Sequence, residues 1–133
     1  MDWSFDGVEF DEEAKLRDET RKILDFADLP ISANCMRVPV VVGHAEAVWV
    51  ETVESLDVEQ AAAVLAAPGT RVDFPTPAGA TGIDDVLIGR IRRDPTIENG
   101  LAFLVACDNL RKGAALNAIQ IAELLLAPEA VSV

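Results

Sequence analysis

His44 is the only histidine among the chain's 133 residues. It follows Arg37 by seven positions in the apolar run Cys35-Met-Arg-Val-Pro-Val-Val-Val-Gly-His-Ala-Glu-Ala-Val48. An imidazole titrates near neutrality and can act as a general acid or base. A guanidinium suits bidentate binding of carboxylate or phosphate. Residues seven apart on an unbroken strand face opposite sides, on the order of 23 Å apart, so one small substrate meets both only if the strand bends. Pro39 lacks a ladder donor and Gly43 accepts backbone geometry closed to other residues, so both are placed to allow that bend. A structural histidine satisfied by one partner is the plainer reading of His44, and spacing alone leaves both readings open.

Glu12 and Lys15 lie three apart, hence on one face of a helix. Most such pairs are surface ion pairs worth a few tenths of a kcal/mol, roughly. The functional alternative is an anion and a cation presented together to a zwitterionic, phosphorylated substrate. Cys35 and Cys107 sit in apolar runs without metal spacing or a disulfide framework, and both read as structural. Asp108-Asn-Leu-Arg-Lys-Gly-Ala-Ala115 opens the last helix, with Asp108 or Asn109 as its cap, and there backbone donors and Arg111 or Lys112 could meet an anion. It lacks the strand, Gly-rich turn and helix of a dinucleotide fold.

Positioning these residues falls to a short series of elements. Residues 11–26 hold good helix formers and no glycine or proline, which predicts a first helix. Ser32–Val42 and Ala45–Val53 read as strands. Asp57-Val-Glu-Gln60 resembles a capping box ahead of an alanine-rich helix that Pro68-Gly69 stops. Val72–Gly82, with two prolines and two glycines, is expected to be loop. Val86–Arg92 and Leu101–Ala106 read as an antiparallel pair, and Leu110–Leu126 as the final helix. The order predicts an α+β fold, with helices packed on a mainly antiparallel or mixed sheet.

The length suits a single domain, residues 1–133, and half the residues are hydrophobic. A net charge of −12 argues against a nucleic-acid partner or an anionic membrane surface. Neither a signal peptide nor a membrane-spanning run is legible, so a cytoplasmic location is the expectation.

Four segments together resemble aspartate-β-semialdehyde dehydrogenase: Glu12 to Leu24, Ser32 to Val48, Gly89-Arg-Ile-Arg-Arg-Asp-Pro95 and Asp108 to Glu123. The likeness runs from about residue 10 to 127. That family reduces L-aspartyl-4-phosphate with NADPH to aspartate semialdehyde and phosphate, on the route to lysine, threonine and methionine. A cysteine thioester is the intermediate. The resemblance makes His44 the acid/base and Arg37 the clamp for the substrate α-carboxylate. It gives Glu12 and Lys15 the substrate amino group and phosphate, and sets Asn109 beside the nicotinamide carboxamide. Ala45 stands where the family usually has serine. Cys35 matches a non-catalytic cysteine, so the nucleophile and the N-terminal dinucleotide-binding domain are expected to lie outside these residues. The chain then reads as the family's C-terminal catalytic and dimerisation segment, inactive alone, needing NADP only as part of the whole enzyme and forming a homodimer through its sheet. Two other readings are a stand-alone dimerisation or interaction module of the same fold, and part of an N-acetyl-glutamyl-phosphate reductase.

Overall fold

The computed structural model describes residues 4–126. The chain forms two compact units, Met1–Pro39 and Val40–Val133.

The first unit is built on helix α1, Asp11–Ile23. Asp11, Glu12 and Glu13 occupy its first turn and Arg21 and Lys22 its last, each sign at the end of the helix dipole that favours it. Phe10 N–H donates to Glu13 Oε2 at 3.0 Å, which satisfies a donor ahead of the helix start. The helix stops three residues short of the expected Phe26. Asp25 turns left-handed at φ 50°, and Phe26 N–H closes back on Arg21 O.

The expected strand Ser32–Val42 is not formed. These residues are irregular, with bends at Pro39, Val41 and Val42. Valine-rich sequence favours a strand only where a neighbouring ladder receives it, and Pro39 has no N–H to give. Arg37 therefore stands in exposed, irregular backbone rather than on a strand.

The second unit is a four-stranded sheet of order β1-β4-β3-β2. Strand β1 (His44–Glu51) pairs antiparallel with β4 (Gly100–Cys107), and β4 with β3 (Val86–Arg93). The short β2 (Thr70–Val72) adds to β3 in parallel, making the sheet mixed. This is the expected α+β class. Helix α2, Val58–Leu65, begins at the expected capping box: Asp57 Oδ1 accepts Gln60 N–H, and Gln60 Oε1 accepts Asp57 N–H.

The region expected to be loop holds two unforeseen elements, β2 and helix α3, Pro77–Ala80. Thr76 caps α3 through Gly79 N–H, and Pro77 takes the first helical position, where its missing donor costs nothing. Ala80 then packs with Leu87 and Ala106 as a small buried cluster. The last helix is divided into a π-helical turn, Arg111–Ala115, and α4, Leu116–Leu126, with a kink at Ala114. No helix among the described residues is long and apolar enough to cross a membrane.

Candidate functional site

In the first unit, α1 brings Glu12 and Lys15 together, with Lys15 Nζ 3.8 Å from Glu12 Oε1. Both side chains are about half exposed, so the pair adds little stability and is open to a ligand. Between them Glu13 is buried, and its Oε1 accepts Cys35 N–H at 2.9 Å. The backbone donors of Cys35 and Phe10 hold the Glu13 carboxyl below its usual range. Sequence reading overlooked Glu13, because its burial rests on a contact 22 residues away. Arg37 follows Cys35 by two residues, so it belongs to the segment that Glu13 holds.

In the second unit, His44 opens β1 opposite Cys107 at the end of β4. Its side chain is 53% exposed, and Nδ1 lies 3.9 Å from Glu46 Oε1. That distance permits an attraction between charges but no hydrogen bond. Gly43, immediately before, is buried with φ 87°. A Cβ there would stand 2.8 Å from Pro77 O, so the position demands glycine on two grounds. Its N–H donates to Asn109 Oδ1 at 2.7 Å.

Asp108, expected as a cap of the last helix, holds more than that helix start. It is only 3% exposed. Its Oδ2 accepts Gly82 N–H at 2.8 Å, while Oδ1 accepts Leu110 N–H at 2.8 Å and Arg111 N–H more weakly at 3.3 Å. These backbone donors, Gly82 first, hold its carboxyl below the usual range. An Asp followed two and three residues later by a helix start is an N-cap pattern. That cap is legible in the sequence, but the cross-link to Gly82 is not.

Cys107 is buried, and burial, then the charges of Glu46 and Asp108, push its thiol up. A nucleophilic cysteine requires the opposite shift. Among the described residues, no group of three or more histidine, cysteine or carboxylate side chains could hold a metal ion.

Residues 5–112 match the family model described as semialdehyde dehydrogenase, dimerisation domain. The chain belongs to that family. It is 55% identical over 122 residues to the aspartate-semialdehyde dehydrogenase of Corynebacterium melassecola, an alignment covering 89% of this chain and 36% of the relative. The solved aspartate semialdehyde dehydrogenase II of Vibrio cholerae is 44% identical with a TM-score of 0.89, over 95% of this chain and 39% of that one. A second structure of the Vibrio enzyme, complexed with ASA, matches equally well. The chain thus spans little more than a third of the semialdehyde dehydrogenases it resembles.

Proposed function

We propose that the chain acts as the catalytic and dimerisation segment of an aspartate-semialdehyde dehydrogenase, contributing acid/base and substrate-binding groups to the reductive dephosphorylation of L-aspartyl-4-phosphate. The 55% identity to the Corynebacterium enzyme carries this reading. His44, exposed at the start of β1, gives and takes the proton. Arg37 clamps the substrate α-carboxylate through its planar fork of donors. Glu12 holds the amino group and Lys15 the phosphate, charges that the first turns of α1 present side by side.

A dinucleotide site of the doubly wound kind is built on a parallel sheet with a Gly-rich turn from strand to helix, and the described sheet has one parallel pair. NADP belongs with the remainder of such an enzyme, and so does the nucleophile, since Cys107 is buried with a raised pKa and Cys35 matches a non-catalytic cysteine by resemblance. Asn109, with Oδ1 engaged by Gly43, offers its Nδ2 donor to a carbonyl of a nicotinamide. Two copies join through the sheet, in a cytoplasmic setting.

A chimera tests this. The corresponding third of the Corynebacterium melassecola enzyme is replaced by this chain, and phosphate-dependent NADPH formation from aspartate semialdehyde is followed. Turnover is expected, and His44→Ala should lower kcat on the order of a hundredfold or more. A folded chimera without turnover, while the parent enzyme works, favours a non-catalytic interaction module.

A further inference from the structure

Among the described residues the His44 side chain has no hydrogen bond to aim it, since its ion-pair partner Glu46 stands 3.9 Å away. Its direction is inherited from the backbone it leaves, and that backbone is held at Gly43 from several sides. The left-handed φ of 87° is one constraint, and the Pro77 carbonyl packed where a Cβ would project is another. A third is the ladder that begins at His44 and Cys107. The fourth comes from a side chain 66 residues away, Asn109, whose Oδ1 accepts the buried Gly43 N–H at 2.7 Å.

The carboxamide has only one sense here. Gly43 presents a donor, so Oδ1 must face it and Nδ2 must turn outward. Asn109 is in turn set by its neighbour. The buried Asp108 carboxylate fastens the turn through Leu110 and Arg111 on one oxygen and through Gly82 on the other. Asp108 thus holds the turn, Asn109 reaches from it to Gly43, and Gly43 delivers His44.

We infer that Asn109 is a positioning residue for His44, acting through the Gly43 N–H. This rests on the acid/base reading of His44 but is tested separately from it. Because the chain has a single histidine, its imidazole gives one assignable NMR signal in the intact chain. In the unsubstituted chain the Gly43 amide is expected to exchange slowly and the His44 ring signal to be single and sharp. Asn109→Ala should speed Gly43 exchange at least tenfold and broaden or split the His44 signal, with Gly82 exchange unchanged. Asn109→Asp keeps an acceptor oxygen and should restore both. In the chimera, Asn109→Ala should lower kcat with little change in the KM for aspartate semialdehyde, and Asn109→Asp, which keeps the acceptor for Gly43 but lacks the Nδ2 donor offered to the nicotinamide, should recover only part of it.

Rapid Gly43 exchange in the unsubstituted chain overturns the inference, a result independent of any variant's folding. So does an unaltered His44 signal in Asn109→Ala, or equal acceleration at Gly82, which marks general destabilisation. If His44→Ala leaves the chimera's turnover intact, the acid/base reading fails, while Gly43 exchange still reports on the Asn109 bond.

Discussion

The carboxylate of Glu13 accepts the backbone N–H of Cys35 at 2.9 Å, tying the helix that carries Glu12 and Lys15 to the segment that carries Arg37. Three residues assigned to substrate by resemblance thereby share one anchor, which itself faces inward. The anchor is charged and spends its second oxygen on Phe10, so α1 and the irregular segment are fastened by one side chain. Removing it should loosen both ends together.

Glu13→Ala is expected to accelerate amide exchange at Cys35 and Phe10 on the order of tenfold, the scale of a lost charge-assisted hydrogen bond. Glu13→Gln keeps one acceptor oxygen but loses the charge, and should fall between. Exchange that stays slow at both amides in Glu13→Ala would show that other contacts hold the segment.

Acid should weaken the second unit through Asp108. Its carboxyl is depressed in the folded chain. The stability it supplies is therefore complete above the ordinary carboxylate range, roughly pH 4 and up, and is lost as pH falls through the lowered folded value. Asp108→Asn removes that titration and turns an amide donor toward the Gly82 N–H. The variant should be less stable at pH 7, with a flatter dependence of urea midpoint on pH below about 4. Identical slopes in the two proteins would refute the assignment.

Legibility in the sequence tracked how local each interaction is. The capping box at Asp57 and Gln60 is satisfied within four residues, and it formed as read. The β3–β4 pair is joined by a turn that Asp94 holds through Thr96, again local chemistry. Ser32–Val42 misled because its composition favours a strand while strand formation needs a partner. Helix α3 was missed although Thr76-Pro77 is a cap followed by a first-turn proline, since Gly79 and Gly82 nearby signalled loop. Among the chemical residues, Glu12 and Lys15 could be paired from spacing alone. The bonds from Glu13 to Cys35 and from Asn109 to Gly43 join distant positions, and no periodicity announces them.

Two glycines separate crowding from backbone geometry. At Gly89 a Cβ would lie 2.0 Å from Asp73 O, on a strand without positive φ. Gly82 has φ 78° and nothing within 4 Å of such a Cβ. Gly82→Ala should cost about 1 kcal/mol, the left-handed penalty alone. Gly89→Ala must push the Asp73 backbone away from β3 and should cost about 3 kcal/mol, at the upper end of overpacking. Chemical denaturation of both variants provides the comparison, and a larger loss in Gly82→Ala contradicts it.

Among the described residues strand β1 lies at the edge of the sheet beside β4, and Trp49 on it is 60% exposed. Ala47 and Trp49 of β1 line a shallow groove that continues over Phe103 of β4 to Arg90 and Arg92 of β3. An edge strand with an exposed indole invites association unless another surface covers it. In a family whose matched domain is named for dimerisation, a second copy is the proposed cover. Trp49→Glu places a charge where that copy would sit, yet removes little from the chain's own packing. Sedimentation velocity should show the unsubstituted chain as a dimer at micromolar concentration and the variant shifted to monomer. The variant's own stability should change by about 0.5 kcal/mol or less, as for most surface substitutions. A dimer of unaltered strength in Trp49→Glu would move the interface away from this edge.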